Sequence, residues 1–327
     1  MGALLRIGIL GAARIAPRAI IEPCRRRADV TVAAVASRRA DSAEAFASLH
    51  RIEKAYTSYQ AMLDDRDIDL VYVALPPSHH AEWTIRALEA GKHVLCEKPL
   101  ALNAAEAETM FATAERCGRI LVEAFHYRHH PLFEHIVSLR QKLGKVSSIR
   151  AEFHVDIPWD REDIRYDPAL GGGAMMDLGV YPLHWLRSFM GSEPEIIAAT
   201  ARVGASGVDT RMEATLRFEQ DVDATMIADI QDPPFRPWLR IEAAQGCIEV
   251  DNPSSPHRGH SIRSWRDGIL SQYTVGGGTT YDYQLAAFLR SASVGIPSME
   301  NRDDAIGNMA AVDRIYALTM PQRRPLR

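Results

Sequence analysis

A strand, a turn and the start of a helix follow one another in Leu5-Arg6-Ile7-Gly8-Ile9-Leu10-Gly11-Ala12-Ala13-Arg14-Ile15-Ala16. The residues up to Leu10 are mostly apolar, Gly11 interrupts them, and a helical period of apolar residues runs from Ile15 to Arg26. A second apolar run, Val30 to Ala36, comes next. Strand, helix and strand in this order predict a βαβ unit with two parallel strands.

The same alternation of strand and helix continues to about residue 125. Its strands are almost wholly apolar, which is typical of parallel strands covered by helices on both faces. We therefore predict a parallel α/β domain over residues 1–125. Its further predicted elements are strands at Leu70–Ala74, His93–Cys96 and Ile120–Ala124, and helices at His80–Ala90 and Ala104–Cys117.

The pattern changes after Tyr127, where apolar and polar residues begin to alternate. The alternation is strict in Ile149-Arg150-Ala151-Glu152-Phe153-His154-Val155, as in a strand with one buried and one exposed face. Such strands suit an antiparallel sheet, so we predict an α+β domain over residues 126–327, with its last helix free to pack back on the first domain. Further strands are predicted at Ile196–Val203, Met212–Phe218, Ala224–Ile230 and Leu239–Ala243, and helices at Pro131–Gln141, Tyr281–Arg290 and Ala305–Leu318.

The composition is that of a globular protein, since 46% of the 327 residues are apolar and 24% are charged. Lys plus Arg number 38 and Asp plus Glu 42, so the formal charge is -4 and nucleic acid is not an expected partner. No apolar stretch is long enough to cross a membrane. The cysteines are too far apart in sequence for a zinc site, which favours free thiols in a reducing cytoplasm; they are Cys24, Cys96, Cys117 and Cys247.

The turn after the first strand fits a dinucleotide-binding fingerprint in which Gly11, Ala13 and Ala16 take the three small positions. Small side chains there let a pyrophosphate approach the free N–H groups of the following helix. Because one of the three is glycine and two are alanine, the turn alone is equally compatible with a connection that binds nothing. The residues expected to contact a dinucleotide here are Gly11, Ala12, Ala13, Arg14 and Ile15.

The second strand ends in Ala36-Ser37-Arg38-Arg39, where dinucleotide-binding domains place the residue that meets the adenosine ribose. No carboxylate stands there before Asp41. A hydroxyl and guanidinium groups suit a 2'-phosphate, so Ser37, Arg38 and Arg39 predict NADP, with NAD as a second option. An ordinary solvated basic loop is the alternative interpretation.

The most specific motif is Ala90-Gly91-Lys92-His93-Val94-Leu95-Cys96-Glu97-Lys98-Pro99, a turn, an apolar strand and a Glu-Lys-Pro end in succession. It resembles the glucose-fructose oxidoreductase and inositol dehydrogenase (Gfo/Idh/MocA) family of NAD(P)-dependent oxidoreductases, and the resemblance covers essentially the whole chain. The run Glu123-Ala124-Phe125-His126-Tyr127-Arg128 is similar to the branch of dimeric dihydrodiol dehydrogenases and NADP-dependent xylose dehydrogenases. Two further motifs stand in the family's order, Leu75-Pro76-Pro77-Ser78-His79-His80 and Gly171-Gly172-Gly173-Ala174-Met175-Met176-Asp177-Leu178-Gly179-Val180-Tyr181.

The resemblance implies a Rossmann domain followed by an open, mostly antiparallel sheet domain, and it assigns catalytic roles to Lys98, Asp177 and Tyr181. Lys98 stands at the carboxyl end of a predicted parallel strand, where ligands of open α/β sheets collect. Asp177 and Tyr181 are four residues apart, so on one helix they project from the same face. A tyrosine becomes a useful base near neutral pH when an ammonium group lies beside it, and Lys98 would supply that charge. Many inositol-type members carry histidine where Tyr181 stands, which favours the sugar or dihydrodiol branch.

The resemblance also implies further contacts. The side chains expected at the cofactor are Leu75, Pro76, His80, Glu97, Lys98 and Arg128, for the last of which a salt bridge is an equal alternative. The substrate site is expected to include Lys98, Asp177 and Tyr181, with Trp159 and His184 either lining it or packing in the core. The peptide before Pro99 is expected to be fixed, and cis in many members. We predict no metal, because no carboxylates complete the histidine group His126, His129 and His130.

These residues predict an NADP-dependent oxidoreductase that transfers a hydride between the nicotinamide and a secondary alcohol or hemiacetal carbon of a sugar, cyclic polyol or dihydrodiol. Two alternatives share the fold. One is a regulatory protein that binds the dinucleotide without turnover, and the other is an NAD-dependent glycosidase that oxidises its sugar transiently. The joint presence of Lys98, Asp177 and Tyr181 weighs against the regulatory protein.

The second sheet is expected to mediate a homo-oligomer, either a dimer or a tetramer. If the outer face of this sheet met water, the run Ala224-Thr225-Met226-Ile227-Ala228 would expose Met226 and small apolar groups. Monomers rarely leave so large an apolar patch bare, so association is the expected consequence.

Overall fold

A computed structural model describes residues 4–295 and 299–320 of the chain. These residues form two compact units. The predicted boundary between residues 125 and 126 lies next to the passage from the first unit to the second, at His126 and Tyr127, but a late segment returns to the first unit. The first unit contains the described residues of Met1–Ala101, Ala105–His126 and Tyr281–Ala305, and the second those of Leu102–Ala104, Tyr127–Thr280 and Ile306–Arg327.

The first unit is built on a six-stranded sheet in which all neighbouring strands are parallel. In chain order the strands are Leu5–Leu10 (β1), Val30–Ala36 (β2), Lys54–Tyr56 (β3), Leu70–Val73 (β4), His93–Cys96 (β5) and Leu121–Glu123 (β6). They lie in the order β3-β2-β1-β4-β5-β6, which reverses between β1 and β4. The parallel α/β architecture is thus confirmed, while β3 is too short and too polar for the apolar pattern to reveal it.

The second unit is built on an eight-stranded sheet, whose strands lie side by side in the order β14-β13-β12-β11-β7-β10-β9-β8. Its strands are Val146–Asp156 (β7), Glu195–Val203 (β8), Asp209–Phe218 (β9), Val222–Asp229 (β10), Gln231–Ala243 (β11), Gly246–Asp251 (β12), Ser261–Arg266 (β13) and Ile269–Tyr273 (β14). Every neighbouring pair is antiparallel except β7 and β10, which run parallel. The mostly antiparallel sheet is confirmed. Strands β12 to β14 escape prediction because polar and charged residues interrupt their alternation.

One face of the second sheet is apolar and buried. Along β10, Ala224, Met226 and Ala228 are 2%, 0% and 0% exposed. Ile227 projects from the other face and is also only 2% exposed, because Glu152 and Glu213 flank it in register on the neighbouring strands. The expectation that this run leaves an apolar patch bare is therefore wrong.

The opposite face of this sheet carries ion pairs between strands, and it is called the charged face. The Arg211 guanidinium on β9 lies 3.3 Å from Asp229 on β10, and Arg263 on β13 lies 2.8 Å from Glu249 on β12. The side chains that define the charged face are Arg150, Glu152 and His154 on β7, Arg211 on β9, Asp229 on β10, Arg240 on β11, Glu249 on β12 and Arg263 on β13.

Helices connect the strands of both units. Two of them begin with a π-helical turn, the first at Pro17–Ile21 and the second at Met175–Gly179. In the part of the chain that the structure describes, no helix is both long and apolar enough to cross a membrane. The α-helices are Glu22–Arg25 (α1), Ala40–His50 (α2), Tyr59–Leu63 (α3), His80–Glu89 (α4), Ala104–Arg116 (α5), Pro131–Leu139 (α6), Val180–Met190 (α7), Thr280–Val294 (α8) and Met299–Thr319 (α9).

The core of the first unit depends on α8, although this helix follows the second sheet in sequence. Leu285 and Phe288 on α8 are 0% and 1% exposed, and they pack in one apolar cluster with Ile7, Ile9 and Tyr72 of the sheet. Full burial of a leucine or phenylalanine side chain contributes about 1.5–3 kcal/mol. The first unit is therefore completed by residues from late in the chain.

Candidate active site

Four of the loops that follow strands of the first sheet lie at the same end of the sheet, because each begins at the carboxyl end of a parallel strand. This end is called the edge of the first sheet. The strand order reverses between β1 and β4, and such a reversal opens the crevice in which open α/β sheets bind ligands. Most of the cofactor residues predicted from sequence occupy these connections: Gly11, Ala12, Ala13, Arg14 and Ile15 after β1, Ser37, Arg38 and Arg39 after β2, Leu75 and Pro76 after β4, and Glu97 and Lys98 after β5.

The turn after β1 is tight enough to require glycine at Gly11. Its φ is +100°, and a Cβ added there would lie 2.5 Å from the carbonyl oxygen of Ala74. The Ala16 N–H donates to the carbonyl of Ala13 at 3.1 Å, and the helical segment begins at Pro17. The amino-terminal end of that segment, with the positive end of its dipole, therefore faces the same edge and can receive an anion.

The connection after β2 holds two arginines with different partners. Arg39 pairs with Asp41 at 3.0 Å, and both side chains are largely exposed. Arg38 lies beside Tyr59: burial raises the pKa of the Tyr59 hydroxyl, and the Arg38 guanidinium acts in the opposite direction. Because Arg39 already neutralises Asp41, the loop leaves Arg38 as the cation best able to meet a phosphate.

His80 joins two of these connections. It is 1% exposed, with Nδ1 2.8 Å from the carbonyl oxygen of Pro99 and Nε2 2.8 Å from that of Leu75. Burial lowers the pKa of His80 to about 4, so the ring is neutral at physiological pH and donates to one carbonyl at a time. Its nitrogens thus contact the backbone, which makes His80 a positioning residue for the connections that carry Leu75 and Lys98.

Strand β5 ends in Glu97 and Lys98, and the Lys98–Pro99 peptide is cis, as the resemblance implies. The hydroxyl of Tyr72 on β4 donates a hydrogen bond to Glu97. Burial raises the pKa of Glu97, whereas Tyr72 and Lys98 act to lower it. A carboxyl group and a half-buried ammonium group therefore stand side by side at the edge of the sheet.

In the second unit, Asp177 and Tyr181 lie on one helical path, since the turn Met175–Gly179 continues into α7. A spacing of four residues is about one turn, so both side chains project to the same side. The Arg165 Nε donates to Asp177 at 2.7 Å, and Asp163 lies 3.1 Å from the same guanidinium. Asp177 raises the pKa of Arg165, and Arg165 in return fixes the orientation of the Asp177 carboxylate.

Tyr181 is 7% exposed and lies among other aromatic rings. Its ring centroid is 5.3 Å from that of Phe153, 5.6 Å from that of Tyr127 and 6.3 Å from that of Trp185. Ring contacts at these separations stabilise one orientation of the phenol. The α7 helix therefore presents Tyr181 as a rigid group with little access to water.

The remaining predicted residues differ in exposure. His184 is fully buried, with Nδ1 2.8 Å from the Tyr127 hydroxyl and its ring stacked on Phe133, so its placement favours the packing alternative. Trp159 is 63% exposed in the connection after β7, which favours a surface or pocket wall over the core. Arg128 is half-buried directly after Tyr127.

Among residues 4–295 and 299–320, no group of three or more His, Cys, Asp or Glu side chains is arranged to hold a metal ion. Within the predicted histidine group, His130 accepts a hydrogen bond from the Leu132 N–H at 3.1 Å and caps α6, while His126 packs against Tyr281 with ring centroids 4.5 Å apart. These contacts account for two of the three histidines by packing and capping.

Sequence reasoning misses three polar side chains that the structure joins to predicted site residues. Tyr72 is a polar residue in an otherwise apolar strand, and a buried hydroxyl requires a partner, so a signal was present. Tyr127 stands inside the quoted Glu-Ala-Phe-x-Tyr-Arg motif. Arg165 gives no signal, because it lies in a loop with several other charged residues.

A parallel sheet with a glycine turn at its point of reversal and a lysine at a strand end, in one chain with a helix that carries an acidic and a phenolic side chain, is the organisation of dinucleotide-dependent oxidoreductases. The chain belongs to one family of these enzymes, GFO/IDH/MocA. The profile described as an oxidoreductase family with an NAD-binding Rossmann fold matches residues 5–125, and the GFO/IDH/MocA C-terminal domain matches residues 139–249. The resemblance seen in the motifs is thereby confirmed.

Individual proteins resemble the chain over most of its length. D-xylose 1-dehydrogenase (NADP(+)) 2 of Haloferax volcanii is 35% identical over 95% of this chain and 96% of its own. Trans-1,2-dihydrobenzene-1,2-diol dehydrogenase of Xenopus tropicalis is 37% identical over 62% of each chain. The crystal structure of KijD10, a 3-ketoreductase from Actinomadura kijaniata in complex with NADP and TDP-benzene, superposes with a TM-score of 0.92 and 30% identity over 97% of this chain and 98% of that one.

Proposed function

We propose that this protein is an NADP-dependent oxidoreductase that transfers a hydride between the nicotinamide and a secondary alcohol or hemiacetal carbon of a sugar, cyclic polyol or dihydrodiol. The observation that carries the proposal is the single sheet edge at which the Gly11 turn, Arg38 and the Glu97-Lys98 pair lie together. The named relatives support it, since they are an NADP-dependent sugar dehydrogenase, a dihydrodiol dehydrogenase and a ketoreductase holding NADP.

The residues at this edge fit the cofactor. The tight turn at Gly11 lets a pyrophosphate approach the helical segment that begins at Pro17. Arg38 supplies a cation for the 2'-phosphate that distinguishes NADP from NAD. Leu75, Pro76 and Glu97 border the same crevice, and His80 holds their connections in place. When bound, the nicotinamide accepts or supplies the hydride.

Lys98, Tyr181 and Asp177 carry the proton chemistry in this proposal. In the oxidation direction, the ionised Tyr181 oxygen accepts the substrate's hydroxyl proton as the hydride leaves carbon, and in the reduction direction the Tyr181 hydroxyl donates that proton back. An ammonium group beside a phenol favours its ionised form, and that role is assigned to Lys98 in this proposal. Asp177, oriented by Arg165, accepts a hydrogen bond from a neighbouring substrate hydroxyl. Arg128 and Trp159 complete the cofactor and substrate contacts, and His184 positions Tyr127.

The organisation of the chain follows from these roles. In this proposal residues 1–125, completed by α8, bind the dinucleotide, and the rest of residues 126–327 supplies substrate binding and oligomerisation. Apolar side chains exposed on the edge strands of the second sheet, Ile197 and Val203 on β8 and Ile269 and Leu270 on β14, now support a homo-oligomer in place of the buried β10 run. Light scattering that gives a mass of 36.4 kDa at micromolar concentration would exclude the oligomer. The free thiols Cys24, Cys96, Cys117 and Cys247 suit the reducing cytoplasm.

The decisive experiment mixes the protein with NADP and a panel of aldoses, cyclitols and dihydrodiols, and records the absorbance of the reduced nicotinamide. NADPH should form with at least one sugar or diol. The Lys98→Met variant is the control, since it should bind the cofactor without producing NADPH. Release of an aglycone from a glycoside without net NADPH formation would replace the proposal with the glycosidase, and cofactor binding without turnover of any substrate would favour the regulatory protein.

A further inference from the structure

The buried Tyr72 and the half-buried Glu97 form a hydrogen-bonded pair that the proton chemistry above does not use. Tyr72 is 0% exposed and is aligned with Leu95 in the register of β4 and β5. Glu97 stands two residues beyond Leu95, so the two side chains project from the same face of the sheet. Two residues of parallel strand rise about 6.6 Å, a distance that a tyrosine side chain can span, and the Tyr72 hydroxyl donates to Glu97 Oε1.

Tyr72 is surrounded by apolar side chains of the core, whereas Glu97 has cationic side chains near it at the edge of the sheet. Tyr72 belongs to the apolar cluster of Ile9, Leu95 and Phe288, and the other titratable side chains facing its hydroxyl are Tyr281 and Cys96. The charged groups that face Glu97 are Lys98, from its own connection, and Arg18, from the helical segment after the Gly11 turn. Glu97 therefore stands where the core of the sheet meets the crevice.

Opposing effects determine which of the two groups holds a proton. Burial has the largest effect and leaves the pKa of Glu97 raised, although the Tyr72 hydroxyl, Lys98 and Arg18 partly offset it by favouring the ionised form. Burial and the neighbouring Glu97 charge raise the pKa of Tyr72 well above its usual value. The phenol thus keeps its proton at every accessible pH and acts as a permanent donor to the Glu97 carboxylate.

We propose that Tyr72 is a positioning residue that holds an ionised Glu97 at the nicotinamide end of the crevice, and that this charge favours binding of the oxidised cofactor over the reduced one. The inference rests on the proposed function. The nicotinamide ring is positively charged when oxidised and neutral when reduced, while the phosphates of the two forms are the same. A carboxylate at this edge therefore stabilises the oxidised form selectively, which makes the bound reduced cofactor a stronger hydride donor.

The test compares dissociation constants of NADP+ and NADPH, measured by quenching of protein fluorescence from about pH 6 to about pH 9. Glu97→Gln keeps the shape and the hydrogen-bond acceptor but removes the charge. It should lower the preference for NADP+ on the order of 10-fold, the effect of one partly screened charge, and should do so by weakening NADP+. Tyr72→Phe should lose roughly 3-fold of the preference at pH 9 and should approach Glu97→Gln as the pH falls, because a carboxylate without its donor protonates at higher pH.

Tyr56→Phe is the matched control. Tyr56 lies on β3, at the far side of the sheet, and its hydroxyl donates to Asp65 at 2.7 Å. The variant loses the same kind of hydrogen bond there and should leave the ratio of NADP+ affinity to NADPH affinity unchanged. If Tyr72→Phe does not fold, Glu97→Asp replaces it, because the shorter carboxylate keeps its charge but withdraws from Tyr72. This variant should show the same pH-dependent loss.

The outcomes separate this inference from the proposed function. An unchanged ratio in Glu97→Gln overturns the electrostatic bias, and equal weakening of both cofactors in Tyr72→Phe shows a structural role and overturns the positioning. If the wild-type protein prefers NAD+ and NADH, the NADP preference fails, and the same ratio measured with that pair still decides the inference. If it binds neither pair, both the proposed function and the inference are wrong.

Discussion

Polar side chains stand in different places in the two sheets. In the first sheet β2, β4 and β5 carry no Asp, Glu, Lys or Arg, and the charged groups Arg38, Glu97 and Lys98 come after the ends of β2 and β5. In the second sheet the charged groups stand along the strands themselves. Glu152 and Asp229 are 4% and 1% exposed, yet both project from the charged face.

The difference follows from what covers each sheet. Helices cover a parallel sheet on both faces, so only its edge is left for ligands, whereas the second sheet must satisfy charges along one whole face. Glu152 does so by accepting from Arg150 and Arg236, each at 2.5 Å, and by lying 3.0 Å from His154 Nε2. We therefore expect substitutions at the edge to change rates and substitutions on the charged face to change stability.

The largest effect is expected from the proton-transfer residues. Lys98→Met and Tyr181→Phe should each slow the chemical step roughly 10²- to 10⁴-fold, the contribution of a positioned acid or base. The affinity for NADP should stay within a few fold, and thermal unfolding should shift little. Single-turnover kinetics and cofactor titration measure both quantities. Near-normal turnover in either variant would contradict the role assigned to that residue.

The next effect concerns the two arginines after β2. Arg38→Ala should raise KM for NADP by about 10- to 1,000-fold relative to NAD, since each hydrogen bond to a charged group contributes roughly 1.5–3 kcal/mol. The penalty should shrink at high salt. Arg39→Ala is the matched control and should change little, because Arg39 is exposed and paired with Asp41. Equal losses for NADP and NAD in Arg38→Ala would show that this loop does not select the cofactor.

His80 is expected to make the edge of the first sheet sensitive to mild acid. Burial lowers its pKa to about 4, below the ordinary value of 6.5, so the unfolded chain takes up the proton first as the pH falls. The contribution of the neutral His80 to the free energy of unfolding is fully present above about pH 6.5, and the free energy of unfolding should decrease by about 3 kcal/mol between pH 6.5 and 4. Urea unfolding at several pH values measures this. His80→Gln should flatten the profile in that window, and an unchanged slope would exclude His80 as its source.

The charged face is expected to respond at lower pH. Burial raises the pKa of Glu152, but the hydrogen bonds with His154 and Arg150 outweigh it, and the pKa falls to about 2. The stabilisation is therefore present above about pH 4.5 and is lost as the pH falls towards 2. Glu152→Gln should reduce the free energy of unfolding at pH 7 by about 1–3 kcal/mol without changing turnover.

The matched control for Glu152→Gln lies on the same face. Asp223 pairs with Arg217 at 3.0 Å but is 62% exposed, so Asp223→Asn should cost less than about 0.5 kcal/mol. Chemical denaturation of both variants beside a steady-state assay makes the comparison. A large loss of turnover with unchanged stability in Glu152→Gln would contradict the expectation that the edge of the first sheet determines rates and the charged face determines stability.

The parallel sheet and its edge could be predicted because both depend on local patterns. Apolar runs mark β1, β2, β4 and β5, and parallel strands necessarily bring their carboxyl ends together. The alternation in β7 likewise predicts a polar face. The partners on that face could not be predicted, because Arg236 meets Glu152 across 84 positions of sequence, and no local rule selects it from the other arginines.

The burial of the β10 run and the assignment of α8 to the first unit could not be predicted either, because both depend on contacts between distant parts of the sequence. Whether Met226 faces water depends on what packs against its face of the sheet, and the covering residues around Gly179 come from a separate part of the sequence. The cover over Ile227 depends on which strands flank β10, and β7 becomes its neighbour through a parallel pairing that alternation does not reveal. The helical pattern of Tyr281–Arg290 correctly predicts a helix, but a helical period does not identify the core that receives it.

The late position of α8 has a consequence for protein synthesis. The apolar cluster of the first unit lacks Leu285 and Phe288 until the ribosome has translated the second sheet. At about 5–20 residues per second, the interval between residues 126 and 294 lasts roughly ten to thirty seconds. During that time the nascent Rossmann segment keeps an uncovered hydrophobic surface, the kind of surface that chaperones protect from aggregation during synthesis.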